Sequence, residues 1–328
     1  MPKKILLVHT GGTLGMAPVG DQSSLAPGPS LERIIEQVPE LRQLAELQME
    51  VAFNVDSATM EPAHHLILAQ RIRERSREYD GVVLVHGTDT MAFTASVLGF
   101  LLADLGKPVV ITGSQRPLAY VRTDARGNLV DAVTLALQGV AEVGICFGDH
   151  WLRGVATDKV SVHRYEAFDT PNLPPLAELG IQVQMHPHAG QFQRRVPPGL
   201  GEHLESRIAV YTPFPGSPWD LPREGTRAVL IQAYGAGNLP MGREDLKALF
   251  CHCRTQALPV VITSLCLYGG VDLGAYELGQ AAADLGAISG GLHTRWAALA
   301  KLGLALGAGA DLEDVRRAFA TSWAGEPL

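Results

Sequence analysis

The sequence predicts an α/β protein of two domains: a larger N-terminal parallel-sheet domain and a smaller C-terminal α/β domain. Three observations predict it. Short apolar runs alternate with longer helix-like segments, the order that parallel strands need because each return requires a crossover. The alternation breaks once, over 187–205, where Pro187, Gly190, Pro197, Pro198, Gly199 and Gly201 sit among scattered charges, and then resumes. The chain has 328 residues, enough for two apolar cores. The expected division is 1–188, a linker over 189–206, and 207–328.

In order, strands are expected over 3–9, 49–55, 81–85, 108–112 and 142–147. Helices are expected over 30–38, 61–79, 89–105 and 124–139. Ser30 is a cap-forming residue, and Pro62 suits a first helical position behind Thr59-Met60-Glu61. After the break come strands over 207–212, 227–232 and 259–264, a helix over 244–255 and a helical terminus over 312–323.

Composition narrows the function. A formal net charge of −7 opposes binding to nucleic acid or an anionic membrane. No apolar run reaches the roughly 18 residues of a membrane span. The apolar start 5–8 is short for a secretory leader and turns at Gly11-Gly12, so it reads as a first buried strand of a cytoplasmic protein. The four cysteines, Cys146, Cys251, Cys253 and Cys266, do not make a disulfide framework in so long a chain. Cys251-His252-Cys253 falls in the 244–255 helix, where positions two apart diverge by about 200° and cannot share an ion. No zinc spacing occurs, so no metal or organic cofactor is expected.

In an open parallel sheet, ligands gather at the carboxyl ends of the strands. The first strand delivers Thr10-Gly11-Gly12-Thr13 there, and the second Asp56-Ser57-Ala58-Thr59. The third delivers His86-Gly87-Thr88-Asp89-Thr90, and the fourth Gly113-Ser114-Gln115-Arg116. Small residues, hydroxyls and a carboxylate thus concentrate at one rim. Residues 12–15 hold only the second half of a dinucleotide fingerprint, without the acidic residue that should follow, and no P-loop or G-x-S-x-G elbow occurs. Taken alone, Gly11-Gly12 could merely turn the chain, Thr13 could cap the next segment, and Thr88 and Asp89 could start a helix. His86 reads as a packing residue, and Arg71, Arg73, Arg75 and Arg77 as a solvated helix face interleaved with Glu74 and Glu78.

Together these loops resemble the asparaginase/glutaminase family. Residues 10–16 are similar to its first signature and 86–91 to its second. The likeness extends through 112–118, 56–60 and Tyr234-Gly235-Ala236-Gly237-Asn238, which spans most of the chain. The wording around Gly12-Thr13-Leu14-Gly15-Met16 resembles the cytoplasmic, type I branch.

The resemblance implies hydrolysis of L-asparagine to L-aspartate and ammonia. Thr13 would be the nucleophile, forming an acyl-enzyme that water resolves. Thr88, Asp89 and Lys159 would assist, with Lys159 making the Thr88 oxygen able to accept a proton. Asp89 would pair with the substrate ammonium, and Ser57, between Asp56 and Ala58, would bond its carboxylate. Ser114 would contact the amide through its main chain, and backbone N–H groups near Thr13 and Thr88 would hold the oxyanion. Asn238 implies that the second domain completes a neighbour's site in a homodimer or homotetramer.

Two positions depart from the pattern. Family members carry a tyrosine in the loop after the first threonine, and here that place falls on Ser24; 16–29 contains no tyrosine. The loop still reads as a lid. The effector-site arginine and threonine of some members fall on Gln232 and Asp158, against an asparagine-responsive site. The alternatives are an amidase for glutamine or D-asparagine, an amino-acid binder without turnover, and the ammonia-supplying subunit of a tRNA-dependent amidotransferase. Turnover is favoured over binding because Thr13, Thr88 and Lys159 are present together.

Overall fold

The computed structural model describes residues 2–12, 14, 16–18, 25–27, 34 and 36–328, with 16–18 and 25–27 as backbone alone. Thr13, Ser24 and most of the helix expected over 30–38 lie outside the described residues. The chain divides into two compact units. One runs to Thr170 and adds Pro174–Phe192; the other comprises Pro171–Leu173 and Gln193–Leu328.

The first unit is built on an eight-stranded sheet. β1 (Lys4–His9), β4 (Glu46–Val51), β5 (Gly81–Val85), β6 (Val109–Thr112) and β7 (Val143–Phe147) run parallel in the order β4-β1-β5-β6-β7. β5, β6 and β7 are buried at every residue, as continuous apolar runs covered on both faces should be. β8 (His150–Arg153), β11 (Ala177–Leu179) and β12 (Val183–Met185) extend the β7 edge antiparallel. Sequence reading missed these three because they are short and lack a continuous apolar run. Short ribbons pair β2 (Met16–Pro18) with β3 (Leu25–Pro27), and β9 (Asp158–Lys159) with β10 (Phe168–Asp169).

The second strand lies earlier than the 49–55 expected. Over Glu46–Val51, apolar and polar residues alternate, which suits an edge strand with one covered face. Leu47 and Met49 pack on the core, which contains Ile5, Leu7, Val83, Val85 and Val110. The helix Ala125–Ala136 covers that core with Leu129, Ala132 and Val133. The helix Pro62–Arg75 starts on a capping box made by Glu61 and His64, with Pro62 at its first turn as expected. Part of the expected solvated arginine face is tied down: Arg73 pairs with Asp104 at 2.7 Å, and Arg71 and Arg75 reach Glu50 at 3.4 Å.

The second unit carries a parallel sheet of β13 (Ile208–Tyr211), β14 (Ala228–Ala233), β15 (Val260–Ser264) and β16 (Ile288–Ser289) in sequential order. Helix Glu244–Thr255 has the expected bounds; Cys253 is buried in the core, whereas Cys251 is exposed. The helix Arg295–Gly307 went unread because its buried face is mostly alanine, glycine and leucine, with a weak apolar period. It buries Lys301 against Glu326 at 2.6 Å, and both side chains are fully buried. No helix among the described residues is long and apolar enough to cross a membrane.

Candidate active site

The carboxyl ends of β1, β5 and β6 present their loops at one rim, and backbone contacts lock those loops together. Thr10 donates from both its N–H and its hydroxyl to the Val85 carbonyl at 3.0 Å, tying the first loop to the end of β5. Val55 N–H donates to the Thr10 carbonyl, which brings up the segment after β4. The two glycines make the fit possible. At Gly11 (φ +108°) a β-carbon would lie 2.2 Å from the Val55 carbonyl oxygen, and at Gly12 (φ +93°) 2.5 Å from the Gly87 α-carbon. A β-carbon on Gly87 would fall 2.6 Å from the Ser57 hydroxyl oxygen. The turn reading and the site reading of Gly11-Gly12 are therefore compatible: the turn geometry is what admits the neighbouring loops.

Asp56 caps the single turn Ser57–Thr59 by accepting from Ala58 N–H at 2.9 Å. Ser57 is buried, and its carbonyl accepts from the Thr90 hydroxyl at 2.8 Å, joining the second loop to the third. Asp56 and Ala58 stay exposed.

β9 brings Lys159 to the third loop. Its ammonium donates to Thr88 Oγ1 at 2.9 Å and to Asp89 Oδ1 at 2.8 Å. Thr88 is buried, whereas the Asp89 side chain remains 67% exposed, and no hydrogen bond among the described residues reaches its second oxygen. Asp158, aligned with the effector threonine, is instead buried and accepts from Lys159 N–H at 2.8 Å. The strand pairing Phe168↔Lys159 holds this segment in place.

The fourth loop is fixed by residues that sequence reading did not single out. Asp124 accepts from Gln115 N–H at 2.8 Å and Arg116 N–H at 3.1 Å, while Asn128 donates to the Gly113 carbonyl at 2.9 Å. Asp124 had the signal of an ordinary helix start, but its carboxylate turns to this loop and makes no cap bond. Gln115 Nε2 reaches the Arg164 carbonyl at 3.2 Å, so the loop also braces the chain after Lys159. Ser114 lies between these anchors. It is buried, and its hydroxyl has no hydrogen-bond partner among the described residues.

His86 is buried, as a packing residue should be, and burial lowers its pKa to about 4. It is neutral near pH 7. Its Nδ1 faces the Gly87 carbonyl at 2.7 Å and its Nε2 the Thr94 hydroxyl at 3.0 Å. Neither Asn238 nor Gln232 belongs to the first unit. Asn238 exchanges backbone hydrogen bonds with Tyr234 after β14, and Gln232 accepts from the Thr212 hydroxyl at 3.0 Å. Among the described residues, no group of three His, Cys, Asp or Glu could hold a metal ion.

A buried hydroxyl in contact with an ammonium, beside an exposed carboxylate, is an arrangement able to move a proton and to hold a cation. Residues 4–190 match the family model for the asparaginase N-terminal domain, and 208–319 match that for the glutaminase/asparaginase C-terminal domain. The chain is 35% identical to L-asparaginase 1 of Escherichia coli, covering 99% of this chain and 98% of that one. It superposes on the crystal structure of L-asparaginase I from Vibrio cholerae with a TM-score of 0.86 at 32% identity, over 99% of each chain. It is also 30% identical to a glutamyl-tRNA(Gln) amidotransferase subunit of Pyrococcus horikoshii, covering 98% of this chain and 76% of that protein. The chain belongs to the asparaginase family, on its type I branch, and is a hydrolase acting on amide bonds.

Proposed function

We propose that this chain hydrolyses L-asparagine to L-aspartate and ammonia, with Thr13 as the nucleophile. The observation that carries the reading is the Lys159 ammonium shared between the Thr88 hydroxyl and the Asp89 carboxylate at 2.9 and 2.8 Å. An ammonium that donates to the Thr88 oxygen makes that oxygen a weaker proton acceptor. The expected gain in basicity therefore arises only once Lys159 has passed its proton on. Thr88 and Lys159 form the acid–base pair, and Asp89 steadies the charged form of Lys159 in the resting site.

The remaining roles follow the family pattern. Thr13 attacks the carboxamide carbon, ammonia leaves, and water resolves the ester. The second oxygen of Asp89 takes the substrate ammonium. Ser57 binds the substrate carboxylate from the turn that Asp56 and Ala58 shape. Ser114 meets the carboxamide, and Asn238 serves a neighbouring subunit's site in a homodimer or homotetramer. The protein works in the cytoplasm without metal or organic cofactor. The domain boundary is proposed at 189–206.

Ammonia release from L-asparagine, D-asparagine and L-glutamine tests the assignment. L-Asparagine should be turned over fastest, and Thr13→Ala should abolish release with the fold intact. Unchanged turnover in Thr13→Ala would remove the nucleophile assignment. Ser24 at the tyrosine position favours a second reading, a slower enzyme or one for another small amide. Ser24→Tyr should then raise the rate.

A further inference from the structure

Behind the third loop lies a buried chain of polar side chains that the reaction scheme does not use. His65, on the helix Pro62–Arg75, places Nδ1 3.0 Å from the Glu61 carbonyl and Nε2 3.2 Å from Thr94 Oγ1. Thr94, on the helix Met91–Leu101, also meets His86 Nε2 at 3.0 Å, and His86 Nδ1 meets the Gly87 carbonyl at 2.7 Å. All three side chains belong to buried residues.

Hydrogen counting constrains this chain. A carbonyl oxygen only accepts, so Nδ1 of both rings must carry hydrogen. A neutral ring with hydrogen on Nδ1 has a bare Nε2, and two bare Nε2 atoms then face one Thr94 hydroxyl. Its single proton satisfies one of them. The other contact is completed only when one further proton enters, after which Thr94 accepts from one ring and donates to the other. One added proton completes both contacts, whereas a second would set two charged rings on one hydroxyl, where the charge of His86 opposes protonation of His65.

The end of the chain bears on the site. The Gly87–Thr88 peptide is planar and trans, so its N–H points opposite to its carbonyl. Holding the Gly87 carbonyl on the His86 ring turns the Thr88 N–H away from the buried histidine. No hydrogen bond among the described residues takes up that N–H.

We propose that the His65–Thr94–His86 chain is a positioning device that fixes the Gly87–Thr88 peptide plane, presenting the Thr88 N–H to the oxygen that becomes negative as the amide is attacked. His65, Thr94 and His86 touch no reacting atom; they act through Gly87 and Thr88. The inference rests on the amidohydrolase reading for the identity of that oxygen, but the tautomers it requires do not. The charges that bear on His65 are those of His86 and His64, and Phe93 packs edge-on against His65 at 5.2 Å.

Nitrogen-15 NMR of histidine-labelled protein tests the chain directly. Near pH 7 both rings should carry hydrogen on Nδ1, and acidification should bring one shared protonation rather than two independent ones. Hydrogen on Nε2 of His86 overturns the proposal. Thr94→Val removes the hydroxyl at constant shape and should lower kcat and kcat/KM together by about tenfold, less than the roughly 10²–10³-fold for loss of an oxyanion donor. Thr94→Ser should restore at least half of the activity. His65→Gln should lower kcat with KM little changed, which keeps the test available if Thr94→Val does not fold. Wild-type kcat in both variants overturns the proposal. Absence of ammonia release from every amide by the wild type would instead sink the function reading, leaving the tautomer result standing.

Discussion

Lys159 donates to the Thr88 hydroxyl at 2.9 Å across 71 positions of sequence, and the same ammonium holds Asp89. Lys159→Met should lower kcat by roughly 10²–10⁴-fold, the usual worth of a placed acid–base group. Lys159→Arg should not rescue it, because a planar guanidinium always keeps its charge and cannot pass a proton. Steady-state ammonia release decides; a Lys159→Met enzyme with near-native kcat would remove Lys159 from the chemistry.

Gly87 and Ser57 are packed with no room for a side chain. Gly87→Ala puts a β-carbon 2.6 Å from the Ser57 hydroxyl oxygen and 2.7 Å from its β-carbon, so one of the two loops must move. A loss of about 1–3 kcal/mol in denaturant unfolding is expected, with a higher KM if Ser57 binds substrate. A native KM and native stability together would contradict this close approach.

Ser114 carries a buried hydroxyl without a partner among the described residues. Such a group costs about 1–3 kcal/mol in the free protein. Ser114→Ala should therefore leave thermal stability unchanged or raise it. A fall in melting temperature would mean that the hydroxyl is already satisfied.

The buried histidines set the acid limit. Burial lowers His9, His65, His86 and His293 from 6.5 to about 4 in the folded protein. Because the folded values are depressed, the unfolded chain binds more protons below pH 6.5. The stability due to neutral histidine is thus full above pH 6.5 and drains away as pH falls towards 4. Each fully realised shift is worth at most about 3 kcal/mol, and His65 and His86 do not add because they share a partner. Unfolding free energies measured from pH 7 to 4 should decline, and His65→Gln should flatten part of the slope.

In the second unit, Glu326 holds the chain end. It accepts from Lys301 Nζ at 2.6 Å and from Trp323 and Ala324 N–H, each at 2.8 Å, while Lys301 also donates to the Thr321 carbonyl. Glu326→Ala strands a buried ammonium and should cost roughly 3–5 kcal/mol. Lys301→Met combined with Glu326→Leu should recover most of that loss, as read by chemical denaturation.

Much of the fold was legible in linear sequence because parallel strands buried on both faces must be continuous apolar runs, and the helices between them have their own period. β5, β6, β7, β14 and β15 were legible for that reason, as were the rim loops, since a strand end is where a ligand can reach backbone N–H groups. The short antiparallel strands β8, β11 and β12 were not, because their pairing depends on a neighbour rather than on their own pattern. The motifs also pointed to Thr88, Asp89 and Lys159. Only the tertiary structure joined Lys159 to Thr88, pressed Gly12 onto Gly87, turned Asp124 from a helix cap into the anchor of the fourth loop, and aligned His65 and Thr94 behind His86. These are contacts between residues distant in sequence, decided by how layers pack; hydroxyls, imidazoles and carboxylates carry no period that could announce them.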